Sequence, residues 1–188
     1  MNQSNSATET NQSNGAVETP KIHAVHNNSL GIIYLATDGK ALTGAWVEGQ
    51  AHFATAEELD TPIELAEQPL LAQAASELDE YLAGERTSFD VPIQPSGTDF
   101  QLAVWKALQD IPYGYTTTYG QISKIVGPHA PAQAVGQAVG RNRCLIFIPC
   151  HRVIAADGKI TGYAAGVDTK QMLLDLEEPA EDKNTRLF

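Results

Sequence analysis

The sequence has few cysteines, few basic residues and no long apolar run. Its two cysteines, Cys144 and Cys150, cannot form a disulfide framework, so we expect a protein of the reducing cytoplasm. No apolar stretch approaches the roughly 20 residues that cross a bilayer, and the N-terminus lacks a basic-then-apolar signal pattern, so no membrane partner is expected. The 188 residues are nevertheless 43% hydrophobic, which is enough to bury a core and excludes global disorder.

The scarcity of basic residues argues at first against a nucleic-acid partner. Asp and Glu number 23 and Lys and Arg number 12, which gives a net charge of −11 and a pI near 4.7. The charge is unevenly distributed, however. Residues 21–97 carry twelve acids and three bases, whereas residues 98–176 carry five acids and seven bases. The second half is therefore mildly basic, and the acidic pI does not exclude DNA binding there.

The first half divides into a polar tail and a small domain. Residues 1–20 are polar and repeat an Asn-Gln-Ser-Asn motif, which predicts a disordered tail. Two apolar runs then flank Thr37–Lys40, whose Asp-Gly pair is typical of a β-hairpin turn. Apolar residues recur at helical spacing over residues 70–82. We predict a small α/β domain over residues 21–91, followed by a proline-containing linker over residues 92–97.

The second half is expected to be mainly helical. Thr98 with Gln101, and Thr118 with Gln121, form the capping-box pattern that opens a helix. A helix of small residues should follow over residues 130–140, and two short helices joined by a glycine-containing turn predict a helix-turn-helix. The small residues would let this helix approach a DNA groove, or they would permit close helix packing. Periodicity alone leaves both interpretations open.

Two further patterns complete this half. Leu145–Ile148 is a continuous apolar run that predicts a buried strand leading into Pro149–Val153. Asp168 and Gln171 form a third capping-box pattern before a final apolar helix.

Together the patterns predict an α+β fold in two parts. A small N-terminal α/β domain would be followed by a mainly helical domain over residues 98–177, which contains the helix-turn-helix, and by a C-terminal tail over residues 178–188. The length fits one or two small domains. No coiled coil or other dimerisation device is evident in the sequence, so we expect a monomer.

Cys150 is the leading candidate for a reactive group. His151 and Arg152 follow it directly, and a nearby imidazole or positive charge stabilises the thiolate that acts as a nucleophile. Adjacent side chains on an extended segment point in opposite directions, however, so the pair alone does not establish contact. A lone buried cysteine is more often an inert hydrophobic residue. Cys144 is expected to be a buried thiol of that kind.

A series of short motifs runs along the second half: Phe100-Gln101, Val104-Trp105, Ile111-Pro112-Tyr113-Gly114, Thr118-Tyr119-Gly120, Asn142, Pro149-Cys150-His151-Arg152-Val153, Gly162-Tyr163, Leu173-Leu174 and Leu176-Glu177. In this order the motifs resemble those of the O6-alkylguanine-DNA alkyltransferases, also called methylated-DNA–protein-cysteine methyltransferases, and the resemblance covers roughly residues 98–177. The motif around Cys150 is highly specific for this family when the flanking motifs accompany it. The first domain is similar only in general character, as a variable α/β domain of ribonuclease-H-like shape.

The resemblance implies an irreversible transfer to the active-site cysteine. Cys150 would take an alkyl group from O6 of a guanine that has been flipped out of double-stranded DNA, since a buried thiol cannot reach a stacked base. His151 is implied to act as a base through a bridging water, and Glu177 to orient His151. Tyr119 is implied to lie beside the flipped nucleotide and to assist protonation of the leaving guanine. Asn142 is implied to brace the turn that holds Cys150.

The resemblance also implies a pocket for the base. Val153 and Tyr163 correspond to pocket residues, and Ala164 stands where many relatives have serine, so one hydrogen bond to the alkylated base is missing. Each residue also has a plain structural interpretation. Tyr119 would be a helix-capping aromatic, Tyr163 a core residue and Glu177 a solvated helix end. Their joint order and spacing favour the functional interpretation.

One departure from the family concerns the DNA-binding helix. The family inserts an arginine into the gap left by the flipped base, and the corresponding position, seventeen residues before Cys150, is Gln133. Glutamine fills space and makes hydrogen bonds but brings no charge, so we expect weaker DNA binding or slower flipping. Arg141 and Arg143 would contact phosphates. Because the domain has so few basic residues, we expect its DNA affinity to depend only weakly on salt concentration.

Neither a metal nor a cofactor is expected. His23 and His26 have ligand-like spacing, but no cysteine of the first domain completes a tetrahedral set. The main alternative function is a non-enzymatic alkyltransferase-like protein that binds lesions without repairing them. In such relatives the cysteine is replaced, so Cys150 argues against that role. A thiol hydrolase that uses Cys150 and His151 lacks a separate substrate-cleft motif.

Overall fold

The computed structural model describes residues 21–178. The predicted tail 1–20 and residues 179–188 of the C-terminal tail lie outside the described residues. The described chain has the predicted α+β fold, with an N-terminal sheet and one helix against it, followed by a mainly helical part. None of its helices combines the length and apolar character needed to cross a membrane.

The N-terminal sheet is an antiparallel meander with one short parallel strand added at its edge. Its strands are β1 (Ile22–Asn28), β2 (Gly31–Thr37), β3 (Leu42–Val47) and β4 (Thr61–Pro62). The order across the sheet is β3-β2-β1-β4, and β4 runs parallel to β1. Alternate apolar side chains of β2 and β3, among them Ile33, Leu35 and Ala45, belong to the core that a single helix covers as the second layer.

The predicted hairpin is confirmed as the β2–β3 pair. Asp38 Oδ1 accepts hydrogen bonds from the N–H groups of Lys40 (2.9 Å) and Ala41 (3.0 Å), and Gly39 has a φ of 87°, which glycine adopts without strain. The sequence pattern does not predict β1. Its histidines and asparagines obscure the alternation of apolar and polar residues that marks a half-buried strand.

Helix α1 spans Pro69–Leu82 and confirms the helix predicted over residues 70–82. Its buried residues recur every three or four positions and pack against the sheet: Leu71, Ala74, Ala75, Leu78 and Tyr81. Glu77 is also buried, and its Oε2 accepts hydrogen bonds from the N–H groups of Asp90 (2.8 Å) and Val91 (3.1 Å). The helix therefore holds the segment that leads into the second half.

The second half contains four helices within the described residues, at the positions α2 (Asp99–Gln109), α3 (Tyr119–Val126), α4 (Ala132–Gly140) and α5 (Val167–Glu177). Two short parallel strands join them, β5 (Thr117–Thr118) and β6 (Val153–Ile154). Both capping boxes at α2 and α3 are confirmed, because in each the threonine hydroxyl and the glutamine side chain accept from each other's backbone N–H.

The third predicted capping box is wrong. Helix α5 begins at Val167, and its N-cap is Gly166, which makes no side-chain capping bond and has a φ of 93°. Asp168 therefore lies inside the first turn instead of preceding the helix. Its carboxylate acts there only as a favourable charge near the positive end of the helix dipole.

The strand predicted over Leu145–Ile148 is also wrong. These residues are buried, but they form a tight turn in which the N–H of Ile148 donates to the carbonyl oxygen of Cys144 at 2.8 Å. Ile146 has a φ of 73°, an unusual conformation for a β-branched residue. A short apolar run reports burial and does not by itself distinguish a strand from a buried turn.

The two halves meet along the outer edge of β3. The N–H of Ala45 donates to the carbonyl oxygen of Arg143 (2.8 Å), and the N–H of Leu145 donates back to Ala45 (3.0 Å). Leu42 of the same strand exchanges backbone hydrogen bonds with Pro92 and Gln94, inside the segment predicted as a linker. The segment that leads to Cys150 is therefore attached directly to the N-terminal sheet.

Candidate active site

Cys150 begins a 3-10 turn, Cys150–Arg152, directly after the buried turn. Its side chain is 3% exposed. Asn142, also buried, donates from Nδ2 to the Cys150 sulfur (3.1 Å) and to the carbonyl oxygen of Ile148 (2.8 Å), while its Oδ1 accepts from the N–H of Cys144 (3.0 Å). One amide side chain thus holds the thiol and both ends of the turn that presents it.

The thiol is protonated at neutral pH. Burial raises the pKa of Cys150 to about 11, although the Asn142 hydrogen bond and the charge of Lys170 act in the opposite direction. Burial raises the pKa of Cys144 still further, and its side chain is fully enclosed, as predicted for an inert thiol. Cys150 therefore needs a base to become a nucleophile.

His151, the residue after Cys150, is held by a buried carboxylate. Its Nε2 lies 2.8 Å from Oε1 of Glu177, and because an ionised carboxylate has no proton to give, Nε2 carries the hydrogen. The other ring nitrogen, Nδ1, is then an acceptor, and it finds no hydrogen-bond partner within residues 21–178. Burial lowers the pKa of His151, which the neighbouring carboxylate only partly offsets, so the resting imidazole is neutral.

Glu177 is a buried, ionised carboxylate. It is 2% exposed, so the interpretation as a solvated helix end does not apply. Arg152 donates to it from Nε (2.8 Å to Oε2) and Nη2 (2.8 Å to Oε1), and the N–H of Gly114 donates at 3.2 Å. Hydrogen bonds from His151 and Arg152 overcome the effect of burial and lower the pKa of Glu177 to about 2.

Two members of this cluster were not identified from the sequence. Arg152 was noted only as a nearby charge, yet it is the counterion of Glu177 and also donates to the carbonyl oxygen of Ile111 at 2.6 Å. Tyr81 of α1 was not identified at all. Its hydroxyl donates to Oε1 of Glu177 at 2.5 Å, across 96 positions of sequence. The only sequence feature of Tyr81 is its position on the apolar side of an amphipathic helix, and that feature does not specify a partner for its hydroxyl.

Tyr119 and Tyr163 lie within electrostatic range of Cys150, and Val153 and Ala164 are the other residues implied to form the pocket. The Tyr163 ring stands edge-on to the His151 ring at a centroid distance of 6.4 Å, and its buried hydroxyl has no hydrogen-bond partner in the described part of the chain. Burial raises the pKa of Tyr119, and a hydrogen bond with Thr161 acts against this. Val153 is fully buried, and the carbonyl oxygen of Ala164 accepts a hydrogen bond from the N–H of Ala51 at 2.9 Å.

Lys170 supplies a positive charge beneath this site. Its side chain is fully buried, and Nζ donates to the carbonyl oxygens of Val153 (2.6 Å) and Thr161 (2.8 Å). Burial lowers its pKa to about 8, so the amine remains mostly charged at neutral pH. The charge favours the thiolate of Cys150. The two hydrogen bonds connect residues 144–153, here called the cysteine turn, to the loop before Tyr163.

Helices α3 and α4 form the helix-turn-helix. Two small residues of α4 lie at packing contacts: the Trp105 indole donates to the carbonyl oxygen of Ala138 at 2.9 Å, and the Tyr119 ring lies against Gly136. Gln133 lies on the exposed face of α4, and Arg141 is exposed just beyond its end.

Arg143 has a different environment from the one expected for a phosphate contact. Its guanidinium forms an ion pair with Glu58 of the N-terminal half. The two candidate phosphate contacts therefore differ, because only Arg141 is openly exposed.

The two histidines of β1 contact an aspartate and a tyrosine. No group of three His, Cys, Asp or Glu side chains comes together in a metal-binding arrangement within residues 21–178. His26 instead contacts both carboxylate oxygens of Asp79 at 2.8 Å, and the His23 ring stacks on Tyr34.

Comparison with known proteins identifies the family of both halves. The family model described as 6-O-methylguanine DNA methyltransferase, DNA binding domain, matches residues 99–179, and the one described as 6-O-methylguanine DNA methyltransferase, ribonuclease-like domain, matches residues 22–95. A methylated-DNA–protein-cysteine methyltransferase of Methanosarcina acetivorans is 44% identical over 157 residues, covering 82% of this chain and 97% of the relative. The enzyme of the same name from Mycobacterium tuberculosis is 50% identical over 115 residues, covering 61% of this chain and 70% of the relative.

Solved structures of the same family are similar to this chain. The crystal structure of Mycobacterium tuberculosis O6-methylguanine methyltransferase is similar with a TM-score of 0.74 at 40% identity, covering 85% of this chain and 96% of that chain. The Mycobacterium tuberculosis OGT structure in complex with DNA has a TM-score of 0.73 at 41% identity, with the same coverage of 85% and 96%. With both halves matched and the cysteine motif in place, this chain belongs to the 6-O-methylguanine DNA methyltransferase family.

Proposed function

We propose that this protein repairs DNA by transferring an alkyl group from O6 of guanine to Cys150, once per chain. The observation that carries the proposal is the buried Cys150 thiol followed by a neutral His151 whose Nε2 is held by the ionised Glu177. This arrangement leaves His151 Nδ1 as a proton acceptor. The relatives named as methylated-DNA–protein-cysteine methyltransferases support the same chemistry.

The proposed reaction is a single displacement. The thiol proton passes through a water molecule to His151 Nδ1, and the sulfur forms a bond to the alkyl carbon as the bond from that carbon to O6 breaks. The electron pair of the broken bond stays with guanine, which takes up one proton from the Tyr119 hydroxyl. Solvent then returns a proton to Tyr119 and accepts one from His151. The net change moves one proton from sulfur to guanine and leaves a thioether at Cys150.

Access to the thiol requires the target nucleotide to leave the helix. Cys150 is 3% exposed, and a base within a duplex cannot reach a site of that depth. In our proposal α4 lies in the DNA, Gln133 occupies the gap and Arg141 contacts a phosphate, while Tyr163, Val153 and Ala164 surround the flipped base. Arg143 would join the phosphate contacts only if it gave up its ion pair with Glu58.

Single-turnover transfer is favoured over lesion binding without repair because the nucleophile Cys150 is present and the His151–Glu177 pair follows it. A thiol hydrolase has no comparable support from the relatives. We further propose that the protein acts as a monomer in the cytoplasm. The mild positive charge of residues 98–176 suits one DNA-binding face on the second half.

The decisive experiment is a mass measurement on the reacted protein. The chain is incubated under reducing conditions with a duplex that contains one O6-methylguanine, and the Cys150 peptide is examined for the gain of one methyl group. Cys150→Ala should abolish the gain, whereas Cys144→Ala, which alters the other buried thiol, should retain it. If the wild-type Cys150 peptide stays unmodified, or methyl groups accumulate beyond one per chain, the proposed function is wrong.

A further inference from the structure

The hydroxyl of Tyr81 lies inside the catalytic cluster although Tyr81 belongs to α1 of the N-terminal half. It donates to Oε1 of Glu177 at 2.5 Å and lies 3.3 Å from Nε2 of His151. The side chain is completely buried, and its ring packs edge-on to Tyr113 and tilted against Phe89. Ring packing therefore fixes the position of the hydroxyl independently of its hydrogen bond.

The direction of the hydrogen bond is unambiguous. Burial, and secondly the negative charge of Glu177, raise the pKa of Tyr81 well above its usual value, so the hydroxyl stays protonated. Glu177 is ionised and can only accept. Tyr81 is therefore a permanent donor to the oxygen that also pairs with His151.

This oxygen is shared among several donors. Oε1 of Glu177 receives hydrogen bonds from Tyr81 (2.5 Å), from His151 Nε2 (2.8 Å) and from Arg152 Nη2 (2.8 Å). Each additional donor stabilises the carboxylate charge and weakens the attraction of Oε1 for a proton on His151. A buried carboxylate without these donors would favour the imidazolium form of His151 at rest. An imidazolium cannot accept the proton of Cys150.

Other charged and titratable groups also face His151. They come from α5, from the loop before it and from the 3-10 turn: Glu177, Lys170, Tyr163 and Arg152. The positive charges of Arg152 and Lys170 oppose protonation of His151, and Glu177 favours it. Tyr81 is the neutral donor that acts on Glu177 from the other half of the chain.

We propose that Tyr81 is a positioning residue for the transfer reaction, whose hydroxyl holds Oε1 of Glu177 and keeps His151 Nδ1 free to accept the Cys150 proton. This inference rests on the proposed alkyl transfer. It makes the N-terminal half a part of the catalytic apparatus, because α1 supplies a group that the second half does not contain.

The test is the pH dependence of transfer in the full-length Tyr81→Phe variant. Removing the hydroxyl should raise the pKa of His151 and move the acidic limb of the single-turnover rate to higher pH by roughly one unit, since one hydrogen bond to a charged group corresponds to about one pKa unit. The matched control is Tyr113→Phe, which removes a hydroxyl that donates to the carbonyl oxygen of Leu176 at 3.1 Å. The acidic limb of the control should stay in place.

A second measurement does not depend on alkylation. NMR titration of ¹⁵N-labelled histidine should show a higher pKa for His151 in Tyr81→Phe than in the wild type and in Tyr113→Phe. The inference is overturned if the Tyr81→Phe rate falls equally at all pH values with an unmoved His151 titration, or if Tyr113→Phe shifts both equally. If the wild type fails to methylate Cys150, the proposed function fails, while the NMR shift still decides the effect of Tyr81 on His151.

Discussion

Replacing Asn142 by alanine should destabilise the protein and weaken its nucleophile together. The N–H of Cys144 would lose its acceptor, Asn142 Oδ1, in a fully buried position. The carbonyl oxygen of Ile148 would lose one of two donors, because it also accepts from the N–H of Cys150 at 2.8 Å. One orphaned buried donor and one lost hydrogen bond cost about 2–4 kcal/mol in free energy of unfolding.

This cost is large enough to measure by thermal unfolding. For a chain of this size it corresponds to a fall in Tm of about 5–15 °C. The thiol also loses the hydrogen bond that lowers its pKa, so alkyl transfer at neutral pH should slow in Asn142→Ala.

The matched control is Asn27→Ala, since Asn27 is exposed on β1, and surface changes usually stay within about 0.5 kcal/mol. Circular dichroism would follow unfolding, and single-turnover assays would follow transfer. A Tm for Asn142→Ala within about 2 °C of the Asn27→Ala value would refute the proposed role of the amide in holding the cysteine turn.

Three other predictions concern DNA, acid and the reacted state. Gln133→Arg should speed repair of duplex substrate and steepen the salt dependence of binding by about one unit of log–log slope, and an unchanged rate would contradict the proposed place of Gln133 in the DNA. Acid should destabilise the fold in two pH ranges. Below pH 6.5 His151 is protonated in the unfolded chain but stays neutral in the folded one, and from pH 4.5 to about 2 the same difference applies to Glu177. Because both groups bind fewer protons in the folded state, unfolding by urea should become easier as the pH falls. Methylated Cys150 should lower Tm by several degrees, because one extra methyl group overpacks a buried site at a cost of about 1–3 kcal/mol, and equal Tm values for the two forms would exclude this strain.

The sequence predicted those parts of the fold that local chemistry determines. The turn at Asp38 and the boxes at Thr98 and Thr118 depend on side chains that bind backbone groups two or three residues away, and all three are confirmed. The capping box predicted at Asp168 is wrong because α5 begins at Val167, with Gly166, whose φ is positive, as its N-cap and Asp168 already inside the helix. The strand over residues 145–148 failed because burial in an apolar run does not fix backbone direction.

The site was predictable only as far as the resemblance extended. It pointed to Cys150, His151 and Glu177, and the structure brings His151 and Glu177 into direct hydrogen bonding, while Asn142 holds the thiol. No sequence motif marks Tyr81 as a site residue. Its partner Glu177 lies 96 positions away, and Tyr81 occupies the position of an ordinary core residue in the apolar pattern of α1. The ion pair of Arg143 with Glu58 likewise joins segments with no local relation.

The hydrogen bond from the N–H of Ala51 to the carbonyl oxygen of Ala164 connects two main chains. It therefore depends on neither side chain, and only proline at position 51 would remove its donor. Exchanging the side chain at position 164 therefore leaves both hydrogen-bonding atoms in place. In the proposed base pocket, residue 164 can consequently be varied for bulkier or smaller alkyl groups while the N-terminal half keeps this contact.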